Sequence, residues 1–265
     1  MNQRVKTRQF GAYADTLVGE DDALALADPT VGDDEIHVLG AGIVCDTERR
    51  GHPEPKRLHP AELVLDATEG FIPLWASGTT LRWRFQERSM SAFSNPAAAK
   101  TAIRRMLGQA VLAWGDAAPV KFTERNDAWD FEIVMRRADN CTGSGCVLAS
   151  AFFPDAGQHE LVLYPKMFTQ RVEEQVETLV HEIGHVFGLR HFFALVDETA
   201  WPAKVFGTHS KFSIMNYGTL SVLTQADRDD LRRLYQLVWS GQLAEVNGTQ
   251  IRIVRPFHVT PKITI

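Results

Sequence analysis

Three cysteines in 265 residues exclude a disulfide-built scaffold. No apolar run approaches the roughly 18 residues needed to cross a membrane. There is no excess of base either: 28 Lys and Arg against 33 Asp and Glu leave a net charge of −5. The footprint of a nucleic-acid binder is therefore missing, as is a polybasic membrane patch. Internal repeats and low-complexity blocks are absent. The opening residues, MNQRVKTRQF, are basic but lead into no apolar stretch, so no secretory leader is read there. What remains is globular composition, 45% hydrophobic and 23% charged, in a chain long enough to bury a core unaided.

The texture changes along the chain. Residues 1–73 are mixed, with acidic clusters (Glu20 to Asp22, Asp33 to Glu35), a Pro-rich stretch from Gly51 to Pro55, and weak strand candidates at Ile36–Leu39 and Leu63–Leu65. From Thr79 the signals sharpen. TTLRWRFQ over 79–86 alternates like a half-buried strand. Asn95-Pro96 reads as an N-cap followed by a first-turn proline. Ile103, Met106, Leu107, Ala110, Val111 and Trp114 then recur at helical spacing, with Gly115 as the stop. Strands are expected at 120–123, 130–135, 147–152 and 160–164. A long helix is expected over 171–189, and another from Thr224 to Trp239 opened by Thr224-x-x-Asp227. The tail, 241–265, is rich in Ile, Val and Thr and is expected to add a strand or two.

The decisive segment is His181-Glu182-Ile183-Gly184-His185-Val186-Phe187-Gly188-Leu189-Arg190-His191. Residues four apart share a helix face, so His181 and His185 point the same way. Two imidazoles on one face are two legs of a zinc tetrahedron. Gly188 tolerates the left-handed conformation, so the helix can stop there and the chain can bring His191 back as the third ligand. Three neutral nitrogens leave one coordination position open, the catalytic arrangement. Glu182 is rotated about 100° from His181. It is poorly placed to ligate and well placed as a general base on the activated water. One catalytic zinc ion is therefore expected.

Met215 follows His191 by 24 residues, inside Ser213-Ile214-Met215-Asn216-Tyr217. Together these elements resemble the metzincin zinc endopeptidases, whose pattern H-E-x-x-H-x-x-G-x-x-H is followed by a Met-turn. The resemblance makes Met215 the apolar floor beneath the histidines. It aligns Tyr217 with the switch tyrosine of astacins and serralysins, which can ligate zinc or donate to an oxyanion. Elsewhere the chain looks like a matrixin. Gly145-Cys-Val-Leu-Ala-Ser-Ala-Phe-Phe-Pro154 resembles the matrixin strand at the sheet edge above the cleft, and the sequence from Leu223 to Tyr235 resembles the matrixin C-terminal helix. The resemblance spans about 74–239. It implies an α+β fold: a metzincin-like zinc protease domain with a twisted, mostly parallel five-stranded sheet, an active-site helix and a C-terminal helix. Domains follow as an N-terminal extension or pro-segment (1–73), a catalytic domain (74–240) and a strand-rich tail (241–265). The edge at Leu148 and Ala149 is expected to take an extended peptide by strand addition.

Departures matter as well. Ser150 stands where matrixins place a histidine ligand of a structural zinc, and no D-x-[DN]-x-[DN]-G calcium loop occurs, so neither a structural zinc nor calcium is expected. Cys45 is the one thiol before the catalytic domain. Matrixin pro-segments block the open zinc position with a cysteine, but their P-R-C-G-x-P-D context is absent here. Cys45 is thus a candidate latency switch, Asp46 is the alternative ligand in the manner of astacins, and a small buried cysteine in an accessory layer is the plain reading. Cys141 and Cys146 bracket a short loop and either pair or stay reduced.

The expected function is a zinc-dependent metalloendopeptidase acting on protein or peptide substrates, with no nucleic-acid partner and no membrane span, as a monomer. The competing class is a catalytically silent zinc-containing peptide-binding module. The resemblance implies secretion, whereas the N-terminal residues lack a leader.

Overall fold

A computed structural model describes residues 43–45, 63–67, 70–142, 145–191, 203–206, 213–215 and 221–259. In chain order the strands are β1 (Ile43–Val44), β2 (Leu63–Asp66), β3 (Ile72–Trp75), β4 (Thr80–Phe85), β5 (Lys121–Glu124), β6 (Phe131–Met135), β7 (Asn140–Thr142), β8 (Gly145–Val147), β9 (Ala149–Ser150), β10 (His159–Leu163), β11 (Leu189–Arg190), β12 (Ala203–Phe206), β13 (Glu245–Val246) and β14 (Thr249–Val254). The helices are α1 (Glu87–Met90), α2 (Pro96–Trp114), α3 (Val172–Val186) and α4 (Gln225–Trp239). None is long and apolar enough to cross a membrane.

The main sheet has five strands in the order β5-β4-β6-β10-β9. Its first four strands run parallel and β9 is antiparallel at the edge, the mostly parallel five-stranded sheet expected. The sequence explains the placing of strands. All five residues of β6 are buried, as a central strand covered on both faces requires. In β4 the buried Leu81, Trp83 and Phe85 alternate with partly exposed residues, as period two dictates.

Helix α2 begins as its residues direct. Asn95 Oδ1 accepts from the Ala98 N–H at 3.1 Å, Pro96 opens the first turn, and Gly115 at φ +59° ends the helix. Its buried stripe (Ala99, Ile103, Met106, Ala110, Trp114) packs against α3. Helix α4 starts with a reciprocal capping box: Thr224 Oγ1 accepts from the Asp227 N–H at 3.1 Å, and Asp227 Oδ2 accepts from the Thr224 N–H at 2.8 Å. Aspartate therefore does in this box what glutamate more often does.

Two elements depart from expectation. The helix anticipated over 171–189 stops at Val186, because Gly188 takes φ +92° and turns the chain into β11. The strand anticipated over 147–152 is split into β8 and β9 around Leu148, whose carbonyl accepts from the Tyr164 N–H at 3.0 Å. The strand candidate at Ile36–Leu39 lies outside the described residues.

Three smaller sheets surround this core. β7 and β8 form a hairpin stapled by a Cys141–Cys146 disulfide, and β1 pairs in parallel with β8. β2 lies between β11 and β12, antiparallel to both. β14 runs parallel to β3, so the tail returns to the strand at the start of the domain. The same tail is pinned by Asp130, buried at the start of β6. Its carboxylate accepts from the Arg82 N–H at 2.7 Å, the His258 N–H at 2.9 Å and His258 Nδ1 at 2.8 Å.

Candidate metal centre

His181 and His185 stand one turn apart on α3, and His191 follows one residue after β11. All three rings are buried. The His181 and His185 Nε2 atoms are 3.2 Å apart, and His181 and His191 Nε2 are 3.0 Å apart. The contact between His181 and His185 is not a hydrogen bond. His181 Nδ1 lies 2.7 Å from the Ile214 carbonyl oxygen, and His185 Nδ1 lies 2.7 Å from that of Leu189. A carbonyl only accepts, so both Nδ1 atoms carry the proton and both Nε2 atoms present lone pairs. Converging lone pairs repel unless a cation lies among them. Two nitrogens bound at about 2.05 Å around a tetrahedral ion stand about 3.3 Å apart. The donor set, its protonation and its spacing therefore fit zinc, and the two carbonyls supply the orienting contacts that metal-bound imidazoles need.

A fourth donor joins them. Ligand atoms of Cys45, His181, His185 and His191 all lie within 4.8 Å of one another. Cys45 directly follows β1, and its thiol touches two groups. It donates to Glu182 Oε1 at 3.3 Å and lies 3.4 Å from His185 Nε2. Glu182 itself is buried, adjacent in sequence to the first histidine. Phe153 packs edge-on against the His185 ring, with centroids 5.5 Å apart.

The floor is built by close approach. Met215 is fully buried beneath α3. A Cβ at Gly184 would fall 2.5 Å from Met215 Sδ and 3.3 Å from Trp114 Cζ2, so only glycine lets the methionine pass there. Asp227 holds the segment leading to Met215 through hydrogen bonds from Ser213 and the Ile214 backbone. Burial nevertheless holds its carboxyl above the ordinary aspartate value, against those bonds and the ones from Thr224. From Asp227 the chain of contacts runs through Ile214 to His181.

The far end of α3 is equally tied. Its last carbonyls have no partners within the helix. The Trp75 indole N–H donates to Val186 O at 2.7 Å, the Tyr235 hydroxyl donates to Phe187 O at 3.0 Å, and the Gly188 N–H donates to His185 O at 2.8 Å. Burial pushes the Tyr235 phenol far above its usual pKa, so it stays a donor.

Of the residues singled out from sequence, Cys45, Glu182, His181, His185 and His191 come together in one cluster, with Met215 packed under Gly184. Leu148 and Ala149 lie where β8 passes into β9, both buried. Tyr217 and Asp46 lie outside the described residues. Sequence reading missed the orienting roles of Gly184, Asp227, Trp75 and Tyr235. A glycine inside a helix was the available signal for the first. The capping box drew attention to Asp227 without revealing its reach. The two aromatics carried no signal beyond apolar character.

The matrixin family model matches residues 74–235. The solved structure of myroilysin is similar at 14% identity and a TM-score of 0.42, covering 65% of this chain and 98% of that one. No curated protein matches the chain.

Proposed function

The chain belongs to the matrixin family, and from that premise we propose that it is a zinc-dependent metalloendopeptidase whose N-terminal segment keeps it latent. The observation that carries the reading is the convergence of three buried imidazole Nε2 atoms beside the Glu182 carboxylate. His181, His185 and His191 would hold the zinc ion. When bound, zinc supplies Lewis-acid chemistry, making water more acidic and the scissile carbonyl more electrophilic.

The protein's own groups do the rest. Glu182 accepts a proton from the attacking water and passes it to the leaving amine. Burial keeps its carboxylate away from bulk solvent. The substrate backbone lies along the edge at Leu148 and Ala149, where main-chain groups bind it irrespective of side chain. Tyr217, two residues after Met215, donates to the developing oxyanion. That role rests on its position in the sequence.

Latency follows from Cys45. Its thiol engages both the Glu182 carboxylate and a histidine nitrogen, so Glu182 is occupied and the sulfur would serve as a fourth donor to the ion in place of water. Strand β1 meanwhile pairs with β8, on the edge that leads to Leu148. A thiolate is a good zinc ligand, which suits this residue to the block.

The test is cleavage of casein by the full chain and by Cys45→Ala, each beside a Glu182→Ala control and with zinc content measured. Cleavage that rises in Cys45→Ala and vanishes with Glu182→Ala is the expected result. Zinc-loaded protein that cleaves nothing in any form would instead identify a silent peptide-binding module.

A further inference from the structure

The residues before position 74 do not behave as one block. Cys45 joins the donor cluster and β1 pairs with β8, whereas β2 pairs with β11, the strand that leads into His191. β2 is the central strand of its sheet, with Leu65 opposite Leu189 and Val64 opposite Arg190 on one side, and Val64 opposite Val205 on the other. Leu65 and Ala67 are buried in the main hydrophobic core, beside Leu189 and the residues of α3. Leu189 is the residue whose carbonyl accepts from His185 Nδ1, and His191 follows it by two positions. A short strand such as β11, two residues long, has no geometry of its own to keep. Its partner fixes it. β3 adds a second tie, since Trp75 caps the carbonyl of Val186.

We infer that Leu63–Asp66 is a retained positioning strand of the catalytic unit, holding the Leu189 carbonyl and the approach to His191, and that the removable part of the N-terminal segment ends between Cys45 and Leu63. The inference deepens the latency reading above and rests on it for what is removed. Its positioning half stands on the sheet alone. It places the working boundary upstream of residue 74, where the family resemblance starts. A chain cut at that point would lose both β2 and the first half of β3.

Cross-linking in the full chain separates the two parts. Directly paired residues lie about 4.5–5.5 Å apart at Cα, within disulfide range. In a Cys45→Ala background, Val64→Cys with Val205→Cys clamps β2 in place, and Val44→Cys with Val147→Cys clamps β1. Casein cleavage is measured before and after a phosphine reductant that does not bind zinc, with the Cys45→Ala parent treated alike. The β2 clamp is expected to give the same activity before and after reduction. The β1 clamp is expected to silence the enzyme until reduced. A β2 clamp that silences reversibly would overturn the inference, because β2 would then have to leave with the block.

The positioning role has its own readout. Val64→Pro breaks the central strand, and zinc affinity by chelator competition is expected to fall about tenfold or more, with a changed visible spectrum in the cobalt-substituted protein. Val64→Ile is expected to restore both. If the proline variant does not fold, Val64→Gly is expected to show the same loss in weaker form. Unchanged zinc affinity in the folded variant would overturn the role. If no variant cleaves casein, the protease reading fails, and zinc affinity alone still decides this one.

Discussion

At the scale of single residues, the candidate site depends on groups whose roles differ from their chemistry in isolation. Glu182 is expected to be the proton carrier. Glu182→Gln in the Cys45→Ala background is therefore expected to lower casein cleavage by about 10²–10⁴-fold while zinc stays bound. Retention of activity would reassign the base. Gly184 works by having no side chain. Gly184→Ala is expected to cost about 1–3 kcal/mol in urea unfolding, because the Met215 sulfur must shift within a packed site. Asp227 brings a pH dependence. Its folded-state pKa lies above the unfolded value because burial disfavours the charge. The folded state thus holds the proton more tightly, and the stabilisation is complete below about pH 3.9 and is lost as pH rises through the folded-state value. The stability advantage of the parent over Asp227→Asn is expected to shrink as pH rises above about 4 in parallel urea melts. An advantage that grows across that range would contradict this account.

At the scale of elements, α3 is held at its end by neighbours rather than by its own sequence. Tyr235→Phe leaves the Phe187 carbonyl buried without its hydroxyl donor and is expected to destabilise the protein by about 1–3 kcal/mol. An unchanged unfolding midpoint would show that another donor takes over. This end of the helix also marks how far the sequence was legible. The histidine spacing, the stop near Gly188 and the capping box at Thr224 were readable because each is a local rule written in adjacent residues. The five-stranded sheet was foreseen from the resemblance to matrixins, with alternation in 79–86 as local support. Strand β3 escaped notice because Ile72-Pro-Leu-Trp75 is short, fully buried and contains a proline, so it shows neither alternation nor turn signals. Strand β11 escaped because two residues, Leu189 and Arg190, show no alternation, and only pairing with β2 makes them a strand. In the site, Cys45 was legible as a candidate only, since its surrounding residues lack the matrixin context. Its contact with Glu182 is a product of tertiary folding.

At the scale of the whole molecule, the segments flanking residues 74–235 are not ornaments on a self-sufficient domain. β2 and β3 come from the N-terminal flank and β14 from the C-terminal one, and Asp130 receives both the β4 backbone and His258. The pairing of β14 with β3 joins Ile72 to Ile251, about 180 residues apart in the chain. Such a contact raises the mean sequence separation of native pairs, and separations of this kind slow folding. During synthesis, Trp75 waits for its partner Val254 until about 180 further residues have been made. The indole that caps Val186 is carried on β3, so a segment translated about 180 residues later helps set the end of α3. Assembly of the candidate metal centre is thereby coupled to synthesis of β14, and a nascent polypeptide that stalls before residue 249 is expected to take up zinc more slowly than one that extends past residue 254.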